Sequence, residues 1–142
     1  MPQNPIYVPT RIPLPSIAYS MTISTTIDCT ILNGGYIGTT IDMSLPERQG
    51  YLPLLVVIPA AWTSAKLTIQ ISTSGVNNWK TLHHWFGNKS YTTDHTVAAD
   101  DAIIIDDHPL RGIPYFRFLS GTTSAPVNQT GDRTLTVYCG TH

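Results

Sequence analysis

The sequence predicts an all-β fold: an antiparallel β-sandwich, jelly-roll-like, with an extended proline-rich N-terminal arm. Three observations predict it. Apolar and polar residues alternate with period two across residues 21–31, the pattern of a strand with one buried and one wet face. Short apolar runs follow at close intervals, separated by Gly, Pro and Asn, and no longer stretch repeats with helical period. Finally, five of the eleven prolines (Pro2, Pro5, Pro9, Pro13 and Pro15) fall at the start of the chain.

Each proline fixes its own φ, removes a backbone donor and biases the preceding residue to extended geometry. Residues 1–16 are therefore expected as an extended arm, and residues 17–142 as a single β-sandwich domain. Ile6, Tyr7, Val8, Ile12 and Leu14 make the arm apolar. A stiff apolar segment reaching about 50 Å is suited to lying along another molecule, so these five are the candidate partner-binding residues. In the alternating strand, Ile23, Ile27, Cys29 and Ile31 fall on one side. Asn33-Gly34 follows, a turn signal because both positions tolerate positive φ. Alternation resumes at Ile37, Thr39, Ile41 and Met43, so the two runs are expected to form one long hairpin.

Further strands are expected over 51–58, 66–72, 79–85, 90–97, 102–105, 115–119 and 133–139, with single helical turns at 59–64 and 108–112. The predicted core is Ile23, Ile27, Ile31, Leu67, Ile69, Ile71, Leu135 and Val137, each on the apolar side of an alternation. Arg117 and Arg133 are the charges most embedded in strand pattern. At least one is expected to pair with an aspartate, since a buried guanidinium without a partner is costly.

Charged residues make up only 12% of the chain and the net charge is −1, where about 25% charged is usual. Thr, Ser, Asn and Gly stand in for the missing charge, giving a neutral, hydroxyl-rich surface suited to protein contacts. No two of the eight Lys and Arg residues are adjacent, so no basic stripe exists and no nucleic-acid partner is expected. The strongest apolar run, residues 54–58, stops at Pro59 and is too short to cross a bilayer. With no basic segment leading into an apolar stretch at the start, synthesis in the cytoplasm and no membrane partner are expected. Cys29 and Cys139 occupy inward positions, where free buried thiols are expected ahead of a disulfide or a metal site.

Chemistry is hard to place on this chain. Asp100-Asp101 and Asp106-Asp107-His108 bracket a short strand. Binding Ca²⁺ there would need oxygens from a second loop, and aspartates at strand ends ordinarily form turns. His83 and His84 point to opposite faces of a strand and cannot chelate one metal. There is no serine elbow, phosphate loop, dinucleotide fingerprint or zinc-protease helix. No catalytic, cofactor-binding or metal residue is assigned, no cofactor is expected, and the chain is expected not to be an enzyme. Trp62, Trp79 and Trp85, with seven tyrosines, keep stacking on sugar rings open as an alternative to core packing.

Two stretches carry a resemblance. One is LLVVIPAAWTSAKLTIQ, residues 54–70, followed by Ser74-Gly75 and Trp79. The other is SGTTSAPVNQTGDRTLTVY, residues 120–138, running on from the strand at 115–119. Together, over about 52–138, this pattern resembles a group of small structural proteins of tailed bacteriophages. The resemblance implies a virion component, foremost a decoration or cement protein on the capsid exterior. Such a protein would bind the major capsid protein and itself, as a homodimer or homotrimer. The alternative from another class is a carbohydrate-binding sandwich module of the virion contacting the host surface.

Overall fold

A computed structural model describes residues 22–82, 96–105 and 110–141, with side chains from Thr25 onward. Its strands are β1 (Thr22–Ile31), β2 (Ile41–Asp42), β3 (Tyr51–Val57), β4 (Leu67–Ser72), β5 (Lys80–Thr81), β6 (Ala102–Ile104), β7 (Tyr115–Ser120) and β8 (Arg133–Thr141). They form two four-stranded sheets, ordered β1-β8-β3-β6 and β2-β7-β4-β5. Every pairing is antiparallel, so the expected all-β sandwich forms. The winding is regular. β1 pairs with β8, β2 with β7, β3 with β6 and β4 with β5, so four outgoing strands are matched by four returning ones. Rolling that long ribbon brings β8 beside β3 and β7 beside β4 as well.

Period-two alternation explains the core. Ile27, Cys29 and Ile31 of β1 are buried, while Thr26 and Asp28 are exposed. Opposite them, Val137 faces Ile27 and Leu135 faces Cys29 in the ladder. On the other sheet Ile69 pairs with Phe118 and Ile71 with Phe116. The two phenylalanines meet edge to face at 5.8 Å, a geometry that adds about 0.5–1.5 kcal/mol to their area burial. Of the predicted core, Ile27, Ile31, Leu67, Ile69, Leu135 and Val137 are buried and Ile71 packs partly buried against them. The Ile23 side chain lies outside the described ones.

The expected hairpin between the first two alternating runs does not form. β1 runs beside β8 in one sheet and β2 beside β7 in the other. Only a corner joins them, where Ile31 bridges Gly38 and the Thr39 amide donates to the Thr30 carbonyl at 3.0 Å. Gly38 makes that corner possible: a Cβ there would press on the Cys29 sulfur and lie 3.0 Å from the Phe118 carbonyl oxygen. Alternation fixes which face a residue takes but not which strand it joins.

Strands at 51–58, 66–72, 102–105, 115–119 and 133–139 appear within a residue or two of their expected ends. Of the expected strand 79–85, Lys80–Thr81 pairs with β4, and 83–85 lie outside the described residues, as do most of 90–97. Residues 59–64 make a turn and no helix. A short 3-10 turn instead occupies Pro46–Arg48, with proline at its start, where a missing N–H costs nothing.

Candidate functional site

Two ends of the sandwich gather the side chains that act on one another. At the first, the β1–β2, β3–β4 and β7–β8 connections meet on Gln129, which is 1% exposed. Its Oε1 accepts from the Thr63 amide at 2.8 Å, and its Nε2 donates to the Thr63 carbonyl at 2.9 Å and to Ser120 Oγ at 2.8 Å. Its backbone accepts from the Gly34 amide and donates to the Gly35 carbonyl. Each of its polar atoms is therefore used in tying three connections together. Thr63 and Gln129 lie one in each of the two stretches that carry the resemblance, so those stretches are one structural unit.

At the opposite end, residues 43–53 and 110–114 line a groove of about 500 Å³. Met43, Tyr51, Leu52, Leu110, Ile113 and Pro114 give it apolar walls, and Arg48, Gln49 and Arg111 bring N–H groups. β2 and β7 hold the two walls in register, and the Met43 amide donates to the Pro114 carbonyl at 2.7 Å. Arg48 Nη1 donates to the Asp42 carbonyl at 2.8 Å. The Ser44 hydroxyl and amide both donate to the Asp42 carboxylate and hold it below its usual range.

Arg117 departs from expectation. Its Nε and Nη2 donate to Gln70 Oε1 at 2.9 and 2.8 Å, and its guanidinium lies 4.0 Å from the Trp79 ring centroid. Arg133 reaches Thr130 Oγ1 and the Asp132 backbone carbonyl, while the Asp132 carboxylate accepts from the Asn33 amide. Among the described residues neither arginine pairs with an aspartate. An amide oxygen and an aromatic face satisfy Arg117 without desolvating a second charge, and burial lowers its pKa.

The five predicted partner-binding residues, Ile6, Tyr7, Val8, Ile12 and Leu14, lie outside the described residues, and so do His83, His84, His95, Asp106, Asp107 and His108. Asp100 and Asp101 form a turn: Asp100 sits at φ 62° and the Asp101 carboxylate accepts from the Ala98 amide at 3.0 Å. No group of three His, Cys, Asp or Glu side chains among the described residues is placed to hold a metal. No described helix is long and apolar enough to cross a membrane.

Cys29 and Cys139 are free and buried. Burial pushes each thiol up to about 11 from 9.0, and Cys29 also donates to the Thr39 carbonyl at 3.2 Å. Both thiols should therefore resist alkylation at pH 8 in the native protein and react on unfolding. The stabilisation is complete below the unfolded value of 9.0 and is lost as pH rises through about 11. The urea midpoint should fall over that window, and a Cys29→Ala, Cys139→Ala variant should lose less of its midpoint there.

No family model, curated protein or solved structure matches the chain.

Proposed function

We propose that this protein is a non-enzymatic bacteriophage virion component, a cement protein on the capsid exterior that binds and stabilises the shell of major capsid protein. Its strand pairing supports this. Strands paired outermost with outermost are in keeping with a jelly roll, an architecture that viral capsid and lectin domains use. The observation that carries the reading is an apolar row on the outer face of the first sheet. Val56, Ile103 and Val137 share one rung, with Val56 and Val137 buried in the core and Ile103 packed against it. Their neighbours Leu55, Ile104 and Tyr138 form the next rung and point the other way. That outer row ends at β6, the last strand of its sheet, where Ile104 is 83% exposed. A strand that is apolar on both faces is suited to being covered on both, and a short edge strand can take a partner strand by main-chain pairing.

Sugar binding is less supported by the two described tryptophans: Trp62 is buried, and Arg117 covers one face of Trp79. Trp85 lies outside the described residues.

The decisive experiment is binding of the full chain to expanded shells assembled without it. Saturable binding that raises the shells' melting temperature is expected. Ile104→Lys should weaken that binding about tenfold or more with little change in the protein's own stability, as an exposed position allows. Binding to a glycan array with none to shells would favour the alternative.

A further inference from the structure

Among the described strands, β6 is paired on one side only. The Ile58 amide donates to the Asp101 carbonyl at 2.7 Å and the Ile105 amide to the Leu54 carbonyl at 2.8 Å. Ile103 stands between them, opposite Val56. Residues 101, 103 and 105 therefore turn their main chain to β3. In an antiparallel ladder the alternate residues turn theirs away, so Ala102 and Ile104 direct their N–H and C=O groups to the open edge. Both side chains are exposed and stand on the outer face, level with Val57 and Leu55. The same two residues thus present main chain and apolar surface to one incoming strand.

Charge selects the occupant. Asp100 and Asp101 are exposed just before β6. Between Lys89 and Arg111 the sequence holds five of the chain's eight aspartates and no Lys or Arg. A second copy would bring the same acids to the same edge, and like charges across a strand pair are destabilising. We infer that β6 takes an extended segment of a different protein that reads apolar-x-apolar and then Lys or Arg. It pairs antiparallel, as every described pair of strands here does. Its apolar residues lie opposite Ile104 and Ala102, and its basic ones opposite Asp101 and Asp100. This deepens the cement reading by naming the chemistry of the capsid segment held at β6. Its test needs no shells, so the two can fail separately.

The probe is the peptide acetyl-Thr-Val-Thr-Val-Lys-Lys-amide, added to the full chain at millimolar concentration, and the control peptide ends in Gln-Gln. The basic probe should slow hydrogen exchange at the Ala102 and Ile104 amides. At low salt it should bind about fivefold more tightly than the control, a margin that shrinks as salt is added. An Asp100→Asn, Asp101→Asn variant should lose that margin. Asparagine keeps an acceptor for the Ala98 amide and tolerates the φ of 62° at residue 100, so the turn is preserved. Equal affinity for the two peptides would overturn the inference, and so would the absence of protection at both amides. Protection that rises with the protein's own concentration, without peptide, would also overturn it by placing a second copy at the edge. If shells fail to bind while the basic probe does, the cement reading falls and the preference of β6 stands.

Discussion

Replacing Gln129 with leucine should destabilise the protein by about 2–4 kcal/mol, because it strands three partners at once. The Thr63 amide and carbonyl and Ser120 Oγ each lose their bond to the Gln129 side chain. Leucine is close in size, so the cost arises from unsatisfied polar groups and not from a cavity. Ser120 is fully buried, while Thr63 is partly exposed and recovers some hydration, which keeps the estimate below the sum of three full penalties. Gln129→Glu separates the contributions: its carboxylate still accepts from the Thr63 amide but turns an acceptor towards the Thr63 carbonyl. It should also be destabilised, more so above pH 5 than below it, where a protonated carboxyl can donate again. Urea unfolding with an unchanged midpoint for Gln129→Leu would show that this three-way tie contributes nothing.

Ile69→Ala should cost about 2–5 kcal/mol by the same measurement. Ile69 sits in the middle of β4, is 4% exposed and pairs with Phe118 across the ladder. Its removal leaves a void beside an edge-to-face phenylalanine pair that cannot close over it without leaving its geometry. Substitution at Val76, which is 83% exposed in the β4–β5 connection, should shift the midpoint by less than about 0.5 kcal/mol. Equal effects at the two positions would mean that the side of β4 taken as core is wrong.

The two ends of the molecule were unequally legible in the sequence. The alternations over residues 26–31 and 133–139 named their buried sides correctly, because side-chain direction in a strand follows from local geometry alone; Ile23 lies outside the described side chains. Gln129 gave no such signal. It lies in a Gly- and Thr-rich connection between strands, and a glutamine there reads as solvated. Only the approach of the β1–β2 and β3–β4 connections buries it. The groove was equally silent, since residues 43–53 and 110–114 are distant in sequence and meet through the pairing of β2 with β7.

Arg117 shows the same division in one side chain. Its place in a strand was legible, but its partners were not: Gln70 stands directly opposite in the β4–β7 register and Trp79 arrives from the connection before β5. The sequence by itself determined the class of the fold, most strand positions, the inward sides of β1, β4 and β8, and the burial of both cysteines. Each rests on period two and on turn residues, which act over a few residues. The tertiary structure alone decided that β1 and β2 part into different sheets, that Gln129 ties three connections, and which walls make the groove. Those outcomes depend on which distant strands pair, and the free energy that selects a pairing belongs to the whole rolled ribbon, not to any one segment of it.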